Sequence, residues 1–471
     1  MSHKEEGFSV IFKRIAELAI PMVLSYTFSF AIVAIGMLAS RLNQDAAHMA
    51  ATTLIMTTTN TLTVIALSPL FAMSIVASHL IGKLRHQKEN GILDSELDKT
   101  RERIAAVNKS GMIISVVASP IVFLLMFFSK AILVHVLGQD TAVAQIAQVF
   151  LRIYAFAMPA ILFRIVFEQM MFSFAKTKAA MIMGVISFGI GTLLAIFLAF
   201  GGFEFKGLGL SGIAIGYLIE AYITVVFFGL YLAYHPSFIE YRFFKLQKMK
   251  MASYGLLLEI LKIGGPISFT VVSEMILTFV LGIAAGLVGT LALAALNFAM
   301  QFVFFAFVVL SAFGQACCQE VSRELGAKQY LRAKYLAIYG LLTTLIFIMP
   351  CCIFVTVYPN ILMLILDNQN IEIYKIVKIL IPIIALTVLF DAMRYNILQV
   401  LRACGDHFIA AILSIASILL GIMLIFILGL FTKLGVYGIG LGYLLSIFFG
   451  LIVLFPRWLN QLHKLPMVKK I

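Results

Sequence analysis

Four carboxylic acids fall deep within stretches of this sequence that are otherwise apolar: Glu168, Glu220, Glu274 and Asp391. A charged side chain at the centre of a bilayer costs at least about 2.5–3.5 kcal/mol, so such an acid must face a partner, a cavity or water. Asp391 has Arg394 three residues further on, and opposite charges at this helical spacing can neutralise each other. Asp391 is therefore either a cation-binding group or half of a structural ion pair.

Glu274 differs from the other acids because no basic residue of its own stretch lies three or four positions away. Its polar neighbours are Thr270, Ser273 and Thr278. An isolated carboxyl group in a low-dielectric interior can hold a proton near neutral pH, or give its oxygens to a bound Na⁺. A carboxyl merely hydrogen-bonded within the helix bundle is the alternative. We predict that Glu274 and Asp391 form the cation-coupling pair and could ligate Na⁺.

The two remaining acids are candidates for structural or secondary roles. Glu168 has Arg164 four residues earlier, a spacing that favours an ion pair on one helix face. Glu220 follows Gly216 by one turn and has Tyr217 and Tyr222 nearby as hydrogen-bond partners. We expect Glu168 to contribute mainly to structure, whereas Glu220 is either a structural carboxyl group, satisfied by these tyrosines or by backbone, or a secondary functional acid.

Enzyme chemistry is not indicated. The sequence shows no nucleophile–base–orienter set, no phosphate-binding glycine loop and no helix with paired histidines. Its five cysteines lack the spacing of metal ligands and fit small packing residues. We therefore expect neither an enzyme nor a cofactor.

The elements that carry these acids are predicted to be membrane helices. The chain has 471 residues, of which 62% are hydrophobic and 12% are charged, whereas soluble domains have about 25% charged residues. Apolar runs of about 20 residues recur along the chain, which predicts an all-α integral membrane protein. The predicted spans are 16–39, 50–81, 110–136, 146–175, 179–201, 209–234, 257–287, 291–323, 331–358, 372–403, 408–432 and 435–456.

The basic residues indicate the orientation of these helices. With both termini in the cytoplasm, 25 of the 35 lysine and arginine residues fall on cytoplasmic segments and seven on the opposite side. This asymmetry follows the positive-inside rule and accounts for the net charge of +13 without a nucleic-acid partner. We predict a multi-pass protein of the bacterial cytoplasmic (inner) membrane.

An internal repeat divides the twelve predicted helices into two halves. The paired positions are Pro21 and Pro266, Pro120 and Pro350, Pro159 and Pro382, Gly209 and Gly435, Gly212 and Gly438, Gly216 and Gly442, and Tyr217 and Tyr443. Because six is even, the halves are parallel repeats that enclose a central cleft. The predicted domains are an N-terminal lobe (1–234), a basic cytoplasmic linker (235–254) and a C-terminal lobe (255–471).

Several segments resemble the multidrug and toxic compound extrusion (MATE) transporters, NorM-like members in particular, over essentially the full length. The segments are LAIPMVLS, SPLFAMSIVASHLIGK, KIGGPISFTVVSE, LVGTLALAAL, GQACCQEVSRELGAK and FDAMRYNILQVLRACGD. The resemblance implies twelve helices in two lobes and export of drug-like molecules in exchange for H⁺ or Na⁺. It also implies cation binding by C-terminal carboxylates that match Glu274 and Asp391.

The sequence departs from the family pattern at three places. No acid occurs between Leu18 and Gln44, where the first helix of the family commonly carries an aspartate. Thr387 stands where NorM-like members offer a tyrosine hydroxyl to the cation, and Ala403 replaces a glycine. Arg394 close to Asp391 is also unusual and could act as an internal counter-charge.

These features predict a monomeric cation-coupled antiporter that exports amphipathic or cationic compounds by rocker-switch alternating access across the lipid bilayer. Apolar walls with a few polar groups suit such ligands. The candidate cleft residues are Tyr26, Asn60, Met275, Asn297, Gln301 and Phe305. The alternative is a flippase for a lipid-linked saccharide, which would call for several unpaired cationic residues in the cleft.

Overall fold

The structure is a computed structural model, and it describes residues 7–29, 35–36, 38–39, 45–202, 205–244, 251–360 and 371–465. The chain divides into two compact units. One unit comprises Leu24–Gly264, and the other combines Met1–Val23 with Gly265–Ile471. Part of the first predicted span, 16–39, lies outside the described residues.

The unit of residues 24–264 is built from helices, with one short hairpin of strands Gly201–Gly202 and Phe205–Lys206. Its first helix, α1, begins in the other unit. The helices are α1 (Phe8–Ser29), α2 (Ala46–Leu67), α3 (Ala72–Glu89), α4 (Asp94–Phe127), α5 (Thr141–Tyr154), α6 (Met158–Ser173), α7 (Thr177–Phe200) and α8 (Leu210–Tyr234). Single helical turns occur at Ser68–Phe71, Ser129–Ala131, Ile132–Val136, Ala155–Ala157 and Pro236–Ile239.

The unit that contains residues 265–471 consists of long helices. The helices are α9 (Met251–Val288), α10 (Thr290–Gly326), α11 (Tyr330–Val357), α12 (Ile371–Ala403), α13 (His407–Leu430) and α14 (Val436–Lys464). Helix α12 packs against α10, α11 and α14. Its buried aliphatic residues from Ile373 to Ala392 belong to one apolar cluster of this unit, which fixes the part of the helix that carries Asp391.

The prediction of a helical membrane protein is confirmed. Within the described residues, eleven helical stretches are long and apolar enough to cross a membrane. They correspond to the predicted spans from the second to the twelfth. The stretch Tyr254–Val288, for example, matches the predicted span 257–287, and Ile371–Ala403 matches 372–403.

The helix ends differ from the predicted spans where a helix continues into polar sequence. Helix α4 begins at Asp94, sixteen residues before the predicted start at 110, and α14 continues through Pro456 to Lys464. Hydropathy marks the part of a helix that lies in lipid, whereas charged residues outside lipid can continue the same helix. The predicted boundaries at these ends were therefore wrong.

The repeat is visible in the turns that precede the last helix of each half. Gly209 and Gly435 have φ values of 59° and 54° and immediately precede α8 and α14. Few residues other than glycine adopt this left-handed backbone conformation without strain. The same turn therefore starts the sixth and the twelfth predicted span.

The same repeat sets the close approach of neighbouring helices. A Cβ atom at Gly212 would lie 2.3 Å from the carbonyl oxygen of Leu198, and one at Gly438 would lie 2.0 Å from that of Leu428. Each glycine thus allows two adjacent helices to pack backbone against backbone. The two helix pairs, α7–α8 and α13–α14, are built in the same way.

One contact within the C-terminal unit involves the beginning of the chain. Arg14 on α1 forms ion pairs with Glu320 and with Glu324 on α10, the latter at 2.9 Å. Both glutamate side chains are fully buried. Phe12 stacks on Phe347 with ring centroids 5.8 Å apart. These contacts explain why residues up to 23 belong to the same compact unit as 265–471.

Candidate functional site

The guanidinium group of Arg394 joins the two acids that the sequence singled out. Its Nε donates to Asp391 Oδ1 at 2.8 Å, and its Nη2 donates to Glu274 Oε1 at 2.8 Å. Its Nη1 donates to the hydroxyl oxygen of Ser414 at 3.0 Å. One arginine therefore connects α9, α12 and α13 through charged and polar hydrogen bonds, which are the stronger kind when a partner is ionised.

These three ionisable groups differ in their access to the surroundings. The side chain of Arg394 is 2% exposed, that of Asp391 is 11% exposed and that of Glu274 is 23% exposed. With all three ionised, the group carries a formal charge of −1, which is costly in a low-dielectric interior. One additional H⁺ or Na⁺ would neutralise it, and Glu274 is the acid that such a cation reaches most easily.

The expectation that Glu274 is an isolated carboxyl group was wrong. Glu274 is paired with Arg394, which is 120 residues away in the sequence. Spacing along one helix reveals only partners on the same helix, whereas this partner comes from α12. The second oxygen of Glu274, Oε2, accepts no hydrogen bond from the described residues, so Glu274 can still receive a cation.

The backbone of α14 leaves the space that Arg394 occupies. A Cβ atom at Gly450 would lie 3.1 Å from Cδ of Arg394 and 2.8 Å from Oγ of Ser417. The latter distance is shorter than ordinary van der Waals contact. Ser417 Oγ donates to the carbonyl oxygen of Ser414, the residue whose side chain accepts from Arg394. Gly450 therefore allows the arginine side chain to lie flat between helices.

Two further hydroxyl groups belong to helices of this site, one on α12 and one on α14. Thr387, predicted as part of the cation site, is 1% exposed and its Oγ1 donates to the carbonyl oxygen of Ile383 at 2.8 Å. Its hydroxyl proton is thus used within α12, one turn before Asp391. Tyr443 on α14 is 8% exposed and lies within electrostatic reach of Asp391 and Arg394.

Sequence reasoning missed Ser414, Gly450 and the position of Tyr443 near the acids. Ser414 is one of two serines in an otherwise apolar α13, and a polar residue inside a membrane helix is a usable signal. Gly450 offered no such signal because glycine is frequent in membrane helices. Tyr443 was noted only for its place in the repeat.

The acids Glu168 and Glu220 lie together in the other unit, near Arg164. Glu168 Oε1 accepts from the hydroxyl group of Ser25 at 2.5 Å, and Glu220 Oε1 accepts from Thr224 Oγ1 at 3.0 Å. Nη1 of Arg164 lies 4.0 Å from Glu220 Oε1. The sequence suggested tyrosine hydroxyls as partners of Glu220, whereas the donor is a threonine one turn further along α8.

Three of the predicted cleft residues form a stripe on α10. Asn297, Gln301 and Phe305 follow each other at intervals of four residues and are all exposed, Phe305 by 67%. Met275 on α9 is half-buried.

The two remaining cleft residues, Tyr26 and Asn60, are half-buried residues of the other unit. The ring of Tyr26 meets that of Phe172 edge-on, with centroids 6.0 Å apart.

Metal binding by a larger cluster of side chains is not indicated in the described part of the chain. No group of three or more His, Cys, Asp or Glu residues there could hold a metal ion.

Comparisons with known proteins agree with this fold. The sequence model of the MatE family matches residues 98–197 and 266–427, more than half of the chain. The probable multidrug resistance protein NorM of Bacillus cereus is 26% identical over 368 residues, covering 76% of this chain and 79% of the relative. The corresponding protein of Brucella suis is 26% identical over 345 residues, covering 69% and 70%.

Solved structures show the same fold at lower sequence identity. The eukaryotic MATE transporter AtDTX14 superposes with a TM-score of 0.80 at 20% identity, covering 98% of this chain and 99% of the other. An outward-facing multidrug resistance MATE family transporter of the MOP superfamily gives a TM-score of 0.83 at 18% identity, covering 99% and 100%.

Proposed function

Since this chain belongs to the MatE family of membrane transporters, we propose that it is an antiporter that exports amphipathic or cationic toxic compounds in exchange for H⁺ or Na⁺. The observation that carries this proposal is the buried group of Glu274, Arg394 and Asp391, which needs one more positive charge to be neutral. The relatives named above are probable multidrug resistance proteins, which supports a drug-like substrate.

Substrate is exchanged for a cation if the cation-bound and cation-free forms of this group favour different helix arrangements. A cation on Glu274 competes with Arg394 for the carboxylate, while Arg394 keeps its contact with Asp391. Glu274 would then be released from α12, and α9 could bend relative to that helix. Pro266 and Pro382 lie eight and nine residues before the two acids, where each removes a backbone hydrogen bond and permits bending. A substrate that binds one arrangement better is exchanged for the cation.

The wider transport cycle is proposed as rocker-switch motion of the two lobes, 1–234 and 255–471, joined by the linker 235–254. The protein would act as a monomer in the bacterial inner membrane with both termini in the cytoplasm. Substrate would contact a cleft that includes the exposed stripe on α10. The proposed cleft residues are Tyr26, Asn60, Met275, Asn297, Gln301 and Phe305.

Transport by the purified protein in liposomes tests this proposal. A proton gradient and a sodium gradient, imposed separately, should identify the ion that drives efflux of the cationic dye ethidium. We expect Glu274→Gln to abolish gradient-driven transport, and Asp391→Asn to do the same if both acids take part in coupling. Glu259→Gln is the matched control, since Glu259 is an exposed acid on the same helix.

Full transport by Glu274→Gln would contradict this mechanism. Full transport by Asp391→Asn would not contradict it but would assign Asp391 a structural role only. If the wild-type protein moves no drug under either gradient, drug antiport itself is wrong. Transfer of a lipid-linked saccharide would then be the activity to measure.

A further inference from the structure

Unit 24–264 contains a second group of one arginine and two acids that the proposed coupling site does not use. Arg164, Glu168 and Glu220 are 8%, 0% and 5% exposed, respectively. With all three ionised, they also carry a formal charge of −1 in a buried environment. Such a group needs an additional positive charge, because an uncompensated buried charge is strongly destabilising.

The hydrogen bonds indicate which of the two acids would accept that charge. Glu220 Oε1 has a hydroxyl donor in Thr224 and a guanidinium nitrogen of Arg164 at 4.0 Å. Glu168 has one donor, Ser25, on Oε1, whereas its buried Oε2 has no hydrogen-bond partner among the described residues. A buried, unpartnered carboxylate oxygen is costly, and protonating the carboxyl group removes its charge.

The surroundings of Glu168 favour a proton over Na⁺. A hard metal cation needs several oxygen ligands, but Ser25 Oγ is the one side-chain oxygen outside the carboxyl group that hydrogen-bonds Glu168 in the described structure. Among the described residues, the charged group near both acids is Arg164 on α6. The nearby titratable groups described are Tyr154 on α5, which is buried, and Tyr217 on α8.

We propose that Glu168 is a second proton-binding site, separate from the Glu274–Asp391 pair, and that it exchanges its proton during the transport cycle. The carboxylate takes up one H⁺ to become a neutral carboxylic acid and later releases it, with no change in any other bond. This inference rests on the proposed antiport function for its exchange step, but not for the presence of the proton.

The position of Glu168 provides a route by which its proton affects substrate binding. Its partner Ser25 lies on α1 next to Tyr26, a proposed cleft residue. Phe172, one turn after Glu168 on α6, contacts the ring of Tyr26. Helix α1 therefore contacts α6 through the hydrogen bond between Ser25 and Glu168 and through the rings of Tyr26 and Phe172. Loss of the proton from Glu168 changes the first contact, which is adjacent to a proposed cleft residue.

Infrared spectroscopy of the reconstituted full-length protein tests whether Glu168 holds a proton. A protonated carboxyl group has a carbonyl stretching band that an ionised carboxylate lacks. We expect such a band in the wild-type protein near neutral pH. Glu168→Gln should remove the share of one carboxyl group from it, and Glu168→Asp should keep that share at a shifted frequency. Glu259→Gln should keep the wild-type band. A wild-type band that Glu168→Gln leaves unchanged, or the absence of any band, would overturn the site.

The number of exchanged protons tests the second half of the inference. Reversal potentials for tetraphenylphosphonium flux in Na⁺-free proteoliposomes give the H⁺-to-substrate ratio. We expect this ratio to fall by one in Glu168→Gln and to stay at the wild-type value in Glu259→Gln. If Glu168→Gln changes the infrared band but leaves the H⁺-to-substrate ratio unchanged, the proton stays on Glu168 throughout the cycle, and the proposed proton exchange is wrong. If added Na⁺ shifts the reversal potential and Glu168→Gln abolishes that shift, the assignment of a proton to Glu168 is wrong.

A second variant keeps the proposal testable if Glu168→Gln does not fold. Ser25 donates a hydrogen bond to the carboxylate, so Ser25→Ala should make the ionised form less favourable. The midpoint of the infrared titration should move to higher pH by about one unit, a tenfold change in proton activity. A midpoint that does not move, or moves to lower pH, contradicts the assigned role of this contact. The infrared result does not depend on transport, so failure of antiport and failure of this site are distinguishable.

Discussion

Replacement of Arg394 by methionine tests how strongly the protein depends on this buried positive charge. Arg394 is fully buried and donates three hydrogen bonds, two of them to carboxylates. Breaking a buried ion pair by removal of one partner costs roughly 3–5 kcal/mol of stability. Methionine keeps the length of the apolar stem, so most of the loss should come from the uncompensated carboxylates.

The charge of the site sets both the size of this loss and its dependence on pH. Without Arg394, one more carboxyl group must be protonated in the folded state. For a carboxyl group with an ordinary pKa of 4.3, this costs about 3.7 kcal/mol at pH 7 and about 1 kcal/mol at pH 5. The folded variant then binds a proton that the unfolded chain does not bind, so its stability rises as the pH falls.

Thermal unfolding of the detergent-solubilised protein, followed by size-exclusion chromatography, measures this effect. We expect Arg394→Met to lower the unfolding temperature by several degrees relative to the wild type at pH 7 and to recover most of that loss at pH 5. Arg103→Met, at an exposed arginine of α4, should behave like the wild type at both pH values. Equal unfolding temperatures of the two variants at pH 7, or a larger loss for Arg394→Met at pH 5, would refute the reasoning.

Two further experiments test the packing around the site and the ion pair that follows the end of α12. Gly450→Val should overpack against Arg394 and destabilise the protein by about 1–3 kcal/mol. Gly282→Val is the control, because an added Cβ there has no neighbour within 4 Å, and it should leave the unfolding temperature unchanged. Similar effects of the two substitutions would contradict this expectation. Arg457 binds both carboxylate oxygens of Asp406, so a double-mutant cycle of Arg457→Met and Asp406→Asn should give a coupling of about 1 kcal/mol in thermal unfolding. If the effects of the two single substitutions simply add, the Arg457–Asp406 pair contributes no coupling energy.

The sequence was sufficient to predict the helices because lipid imposes a simple constraint. Every backbone polar group in hydrocarbon must be hydrogen-bonded within the helix, so apolar length alone marks a span. The repeat was predictable for a similar reason. Gly209 and Gly435 suit the tight turn, and Gly212 and Gly438 allow the close helix packing, so the recurrence of these glycines along the chain indicated a repeat.

The candidate site was only partly predictable. Asp391 and Arg394 are neighbours on one helix, so their pairing followed from a spacing of three residues. The contact between Arg394 and Glu274 did not, since it depends on how α9 packs near α12. Ser414 entered the site in the same way, from a third helix. Contacts between helices arise from tertiary packing, and the periodicity of a single helix carries no information about them.

The pairing of Arg14 with Glu324 was unpredictable for the same physical reason. The two residues are 310 positions apart, and the sequence indicated only that Arg14 precedes the first predicted span, 16–39, on the cytoplasmic side. Glu320 already has a neighbouring base, because Arg323 lies three residues further on and forms an ion pair with it. The sequence of α10 therefore gave no reason to expect a distant partner.

The most direct test of the coupling site measures how cations affect substrate affinity. Isothermal titration of tetraphenylphosphonium into purified protein, at a series of pH values and Na⁺ concentrations, gives the dependence of affinity on each ion. Each cation displaced by substrate adds a slope of about one to the logarithmic plot, because binding linkage is reciprocal. We predict that Glu274→Gln lowers the total slope by about one, whereas Glu259→Gln keeps the wild-type slope. A slope that Glu274→Gln leaves unchanged would contradict the assignment of Glu274 as the residue that exchanges a cation for substrate.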